Sequence, residues 1–293
     1  MRPIHGLRGL LACAPTESEA MTTPLTTRSN RAWRARFWLA CWIGSASTLV
    51  GAQSTRPPGL QQAEMYTTQD SLSGNYGSWR EVGVRGLYRV GPQLWSGELA
   101  SMERFNEKGN YLGLGNTLVF DPHWFGSLSV GAGDGAAYLP RYRVDGFIHR
   151  KWLSDLSLIT SLGLGHYRSP LDYTDDKLSL GVTAYLPATW VLQAEARINR
   201  SNPGRIDTQQ YFVAATWGQA GQTRLTGRHG WGEEGYQTLG SDTLVSRFSS
   251  HQTTLSAQHW LGPDWGLKGR IENYKNPFYK RDGLYIGVFK DWP

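Results

Sequence analysis

Two places in this 293-residue chain set a histidine close to a serine. His166 lies three residues before Ser169, and His251 follows Ser249 and Ser250. A nucleophilic hydroxyl needs such a base, and also a third group to orient the base. Neither pair has that third member at a recognisable spacing, and no GxSxG is present. His149, His166, His229, His251 and His259 are spread too widely to make a metal motif. The "GLGH" run at 163–166 precedes no GK[ST], so it is not a phosphate loop. No cofactor or metal is implied.

The remaining chemistry-bearing residues are charges of both signs inside short segments that alternate with period two. "KLSLGVTAYLP" (177–187) puts Leu178, Leu180, Val182, Ala184 and Leu186 on one face, against Lys177, Ser179, Gly181, Thr183 and Tyr185. The segments 190–200, 266–274 and 283–292 repeat the pattern. The polar faces carry Glu81, Arg85, Arg89, Glu98, Arg143, Asp145, His149, Lys177, Glu195, Arg197, Lys268, Arg270 and Glu272. On one face of a sheet, such residues either form cross-strand ion pairs or offer arginines to an acidic solute.

The elements that position these faces show in the turns. Tight turns centre near Pro92, Pro122, Ser154, Pro187, Ala220 and Pro263, in steps that fit two strands of 10–13 residues plus a connection. More polar connections, expected to be longer, lie between them. This predicts an all-β fold: a transmembrane, antiparallel, up-and-down β-barrel with periplasmic turns and outer loops. The strand count is about 14, or 12 if the early pairs fail. The barrel should occupy 61–293, after a short periplasmic lead-in at 53–60. Ten tryptophans lie beyond residue 52. Eight of them (Trp95, Trp124, Trp152, Trp190, Trp217, Trp260, Trp265 and Trp292) sit beside a tight turn or the C-terminus, as an interfacial girdle requires. A mean hydropathy of −0.43 beside 13 Trp and 14 Tyr suits a barrel whose interior is polar.

The net charge of +6 is an end effect. Residues 1–52 hold six of the basic and two of the acidic side chains, which leaves the remainder near neutrality. Nucleic acid is therefore not an implied partner. Within that first stretch, "RSNRAWRAR" (28–36) and the uncharged "FWLACWIGSASTLVGA" (37–52) read as a secretory signal cut after Ala52, with translation starting at Met1 or Met21. Both cysteines, Cys13 and Cys41, fall here.

The stretch from about 80 to 290 resembles the YaiO family of outer-membrane β-barrels. The resemblance lies in "ERFNEKGNYLGLG" (103–115), "LPRYRVDGFIHRKWL" (139–153), "YLPATWVLQAEARINRSNPG" (185–204), "YFVAATWGQAGQTR" (211–224) and "WGEEGYQTLG" (231–240). The final "DWP" departs from the terminal Phe usual in such barrels. The resemblance implies a single barrel in the cell outer membrane, inserted by the barrel-assembly machinery among membrane lipid and lipopolysaccharide. The expected activity is passage or docking of a surface solute, either a polysaccharide or a small anionic one, without catalysis. The rival is an outer-membrane enzyme acting on lipid or lipid-linked sugar. "GEEGYQTLGSD" (232–242) and "NPFYKRDG" (276–283) are the outer loops best suited to contact a ligand.

Overall fold

The computed structural model describes residues 59–74, 76–238 and 244–292. The leader, its cleavage after Ala52 and the alternative start at Met21 lie outside the described residues. Fourteen strands follow one another: β1 Gly59–Leu72, β2 Ser78–Val90, β3 Gln93–Arg104, β4 Glu107–Val119, β5 Trp124–Gly133, β6 Tyr142–Trp152 and β7 Leu158–Arg168. The second half is β8 Thr174–Leu186, β9 Trp190–Asn202, β10 Ile206–Gly218, β11 Thr223–Thr238, β12 Leu244–Trp260, β13 Trp265–Lys275 and β14 Lys280–Asp291. Each pairs antiparallel with its neighbours in sequence, and β1 pairs with β14, so the sheet closes.

Closure satisfies the backbone. Each strand inside the sheet has a hydrogen-bonding neighbour on both sides, which a lipid environment demands. The side chains then sort by the pleat. On β8, Leu178, Leu180, Val182 and Leu186 face outward and are exposed, while Ser179 is buried on the inner face. The same inversion runs around the wall. Met65, Leu99, Leu114, Leu128, Leu164, Leu255 and Ile286 are exposed, and Glu64, Asp145, Arg197, Lys268, Glu272 and Arg281 are buried. The apolar surface is on the outside because its solvent is hydrocarbon.

The connections correct the expectation that one end has long loops. Among the described residues, on the side away from the termini they span 73–77, 105–106, 134–141, 169–173, 203–205 and 276–279. At the terminal side they span 91–92, 120–123, 153–157, 187–189, 219–222 and 261–264, so the two ends differ little. Phe105 and Asn106 turn β3 into β4 with φ of 53° and 64°, the two left-handed residues of a tight hairpin. The proposed ligand loop 232–242 is also mostly strand, because β11 continues to Thr238 and pairs with β12 as far as Thr238↔Leu244. Likewise β14 begins at Lys280, which leaves only 276–279 as a loop.

Inner glycines make room for rings from the neighbouring strand. A Cβ at Gly83 would lie 2.5 Å from the Tyr66 ring, and one at Gly163 would overlap Phe147.

The facing of β8 gives a direct test. Leu180→Arg places a charge on the lipid face at mid-strand, with an expected cost of about 2–4 kcal/mol. Thr183→Arg points into the lumen and should cost clearly less. Urea unfolding in lipid vesicles measures both, and the reverse order would mean the wall is turned the other way.

Candidate functional site: the barrel lumen

The inner face is organised in three levels. The middle level is charged. Arg85 contacts Glu98 at 2.8 Å, and the Tyr66 hydroxyl lies 2.7 Å from both Glu98 and Glu81. At the far edge of this level, Arg104 at the end of β3 reaches Glu81 at 3.7 Å. Asp145 accepts from Arg143 and Lys177, each at 2.5 Å. Lys177 and Asp145 come from strands that flank β7, and they meet over its Gly165, where a Cβ would strike both. Arg197 holds Glu195 with two nitrogens, at 2.7 and 2.9 Å. Lys268 donates to Glu64 at 2.9 Å, and Arg281 pairs with Glu272 and lies 3.8 Å from Asp70.

Rings interleave with these charges. Tyr66 and Tyr285 stack with centroids 5.3 Å apart, with Arg85 over one (4.3 Å) and Arg270 over the other (4.7 Å). Arg197 and Arg228 lie 4.1 and 4.3 Å from the Phe212 ring. Removing one partner of such a buried pair is costly, because it strands a charge. The intact pair itself adds little net stability.

The level nearest the termini is apolar on one side. Leu87 and Leu94 of β2 and β3 are buried, as are Phe125 of β5 and Ile159 of β7. Tyr185 of β8 packs against both groups. A circular fourteen-stranded barrel measures about 28 Å between backbones, from strand spacing and a tilt near 40°. A contact from β8 to β2 and β3 therefore draws the wall inward at this end. His149 stacks on Phe125 at 4.2 Å nearby, and its Nδ1 lies 2.7 Å from the Ser161 hydroxyl.

The level farthest from the termini is aromatic and filled by loop residues turned inward. Tyr138, Tyr173 and Tyr279 lie in connections, yet all three are buried. Tyr138 donates to the Met102 carbonyl at 2.8 Å and packs with Ala136, Leu139 and Ala100. Burial pushes its phenol up to about 12. Tyr279 joins Trp79, Phe105 and Tyr274, and Tyr173 meets Tyr236 with ring centroids 5.2 Å apart. Arg104 lies between Trp79 and Tyr138, at 4.9 and 5.5 Å from their rings.

Several sequence readings change here. Trp260 does not face lipid. It ends β12 on the face of Thr254 and Gln258, is buried, donates to Asp291 at 2.8 Å and packs edge-on against Phe289. Its neighbour in sequence, His259, takes the outward position, so proximity to a turn did not fix its side. Trp95, Trp124, Trp152, Trp190, Trp217, Trp265 and Trp292 are exposed around the terminal end. His166 points outward to Asp176 at 2.7 Å, away from Ser169, whose hydroxyl caps its own loop by accepting from Leu171 N–H at 3.0 Å. His251 faces outward beside His229, with ring centroids 6.2 Å apart. Among the described residues, a serine–histidine contact does form between His149 and Ser161, a cross-strand pair of the β6–β7 hairpin. No cluster able to hold a metal occurs among the described residues.

A closed antiparallel barrel of fourteen strands, apolar outside and polar inside, defines a transmembrane β-barrel of the outer-membrane class. The YaiO membrane beta barrel domain matches residues 60–237, and the chain belongs to the YaiO family. The match stops short of β12–β14, which complete the barrel. Among solved structures, a bacterial polysaccharide outer-membrane secretin overlays with a TM-score of 0.51 at 8% identity, over 80% of this chain and 99% of that one. The CymD monoaromatic hydrocarbon channel gives 0.48 at 6% identity, over 80% and 88%. An anion-selective porin from Comamonas acidovorans gives 0.43 at 12%, over 80% and 100%. At these identities the likeness is one of fold. No curated protein matches the chain in sequence.

The tryptophan assignment is testable in single-tryptophan variants. Headgroup-depth lipid quenchers should quench Trp190 and Trp265 strongly and Trp260 weakly. Equal quenching of all three would return Trp260 to the girdle.

Proposed function

We propose that this barrel passes or docks a polar surface solute, with saccharides the best-suited class. The observation that supports this most is the charged, hydroxyl-rich middle level held between two ring-lined closures. Saccharide hydroxyls exchange hydrogen bonds with mixed carboxylate, guanidinium and amide groups, and sugar faces pack on rings such as Phe212 and Tyr285. Apolar constrictions gate pores by excluding water, and in this proposal Tyr185 and the 134–141 connection are the constrictions that move when the barrel opens. Export by the 28–52 leader and insertion by the barrel-assembly machinery belong to the same proposal.

A second reading, an enzyme acting on lipid or lipid-linked sugar, draws on the His149–Ser161 contact. Against it, the imidazole is wedged beside Phe125 and Phe147 inside the wall, whereas lipid lies outside.

Planar-bilayer recording separates the readings. Wild-type protein should conduct little. Tyr185→Ala combined with removal of 136–139 should give discrete openings. Neutralising Arg197 and Arg270 in that background should shift ion preference away from anions, because at 0.1 M salt only charges within about 10 Å of the path act on it. An inserted but silent opened variant would exclude passage and leave docking. Hydrolysis of a lipid-linked sugar that is lost in Ser161→Ala would favour the enzyme.

A further inference from the structure

The outer wall carries a polar row whose height is set by the tryptophans. On β9, ten residues separate Trp190 from Arg200, and on β10 ten separate Trp217 from Asp207. At about 3.4 Å per residue and a tilt near 40°, this spans about 25 Å, the height of the apolar band of such barrels. The row at Arg200 and Asp207 therefore lies in the headgroup plane of the leaflet opposite the tryptophan girdle. With both termini at the girdle end, that leaflet is the outer one.

Across β6 to β10 the row reads Tyr142, His166, Asp176, Arg200 and Asp207. His166 contacts Asp176 at 2.7 Å, Asp176 stands opposite Arg200 in register, and Arg200 contacts Asp207 at 2.7 Å. Beside it, Arg141 and Arg168 converge on a single oxygen of Asp172, at 3.8 and 2.7 Å. The Asp172 carboxyl is 72% exposed and held below its ordinary range by the hydrogen bond from Arg168. This corner thus already stabilises one anion between two guanidiniums. It also has donors to spare. Each guanidinium has five N–H groups, and the hydrogen bond from Arg168 to Asp172 uses one nitrogen of that fork. Arg141 and Arg200 are 61% and 47% exposed.

The cations of the two rims differ in number. The exposed cations toward the outer rim are Arg80, Lys108, Arg141, Arg168, Arg200, Arg205, Arg247, Lys275 and Lys280, interspersed with carboxylates. Among the described residues, the exposed cations of the opposite rim are Arg150 and Lys290, with Asp121, Asp155 and Asp264 in its turns. A surface that is lipid-facing, at headgroup height and rich in arginine suits phosphate groups attached to acyl chains, because arginine binds phosphate through two parallel hydrogen bonds.

We propose that Arg141, Arg168 and Arg200 dock the phosphates of a phosphorylated glycolipid of the outer leaflet. The acyl chains would lie against the apolar wall beneath, along Val144, Leu164, Leu178 and Ile198. This holds whether or not the lumen passes a solute.

Diphosphoryl lipid A and its phosphate-free counterpart serve as probes against the detergent-solubilised full barrel, with binding read by native mass spectrometry. The diphosphoryl form should bind at least tenfold more tightly. Arg141→Gln/Arg168→Gln/Arg200→Gln should remove that advantage, and Lys108→Gln/Lys275→Gln, elsewhere on the rim, should keep it. Inorganic phosphate at ten times the lipid concentration should not compete. Equal binding of the two lipids by wild-type protein overturns the proposal even if the triple variant fails to fold. Equal losses in both sets of variants, or full competition by phosphate, overturn it too.

Discussion

In hydrocarbon, an unpaired backbone N–H or C=O costs several kcal/mol, and that single penalty dictates this structure. A sheet with free edges cannot stand in a membrane, so β1 must find β14. It does so in register over Gln62–Leu72, with Tyr66 opposite Gly287 and Thr67 opposite Ile286. Side chains of the inner wall also brace the seam. Gln62 donates to Asp291 at 2.8 Å, Lys268 reaches Gln62 and Glu64, the Tyr285 hydroxyl donates to Glu64, and Tyr66 stacks on Tyr285. First and last strands are far apart in the chain, and these side chains fix which residues of the two meet.

Once the ring is closed, parity decides the chemistry. Alternate residues face hydrocarbon or lumen, so charge collects inside, where it must be paired. Pairing between strands two apart needs a gap in the strand between, and Gly165 supplies it for Asp145 and Lys177. Rings lean over inner glycines in the same way. The lumen is thus lined and braced by its own side chains, with Tyr185 packed inside one end and three buried loop tyrosines inside the other.

The barrel was legible because a two-residue period and a turn every thirty-odd residues are local properties. Strand ends near turns were legible for the same reason. Loop length was not. The polar stretch 232–238 looks like loop by composition, yet it pairs with β12 because hydrogen bonding to a neighbour overrides a weak strand propensity. Trp260 shows a second limit: its place beside a turn suggests the girdle, while its side depends on the parity of β12. The closures were illegible for a deeper reason. Tyr185 meeting Leu87, or Tyr138 meeting Met102, joins residues that share no strand pair, and only the closed three-dimensional wall brings them together. The same holds for His149 and Ser161 to a lesser degree, since a hairpin register would have found them.

Closure between the first and last strands is the central claim, and an engineered cross-link measures it. With Cys13 and Cys41 replaced by serine, no other cysteine remains in the chain. Thr67→Cys with Ile286→Cys puts two thiols on outward register partners, the position in the two strands where a disulfide needs the smallest backbone adjustment. Mild oxidation of the membrane-embedded protein should link this pair in high yield and leave Thr67→Cys with Leu284→Cys, two residues out of register, largely free. Cross-linking of the second pair in preference to the first, or of neither in protein shown to be inserted, would contradict a barrel closed in this register.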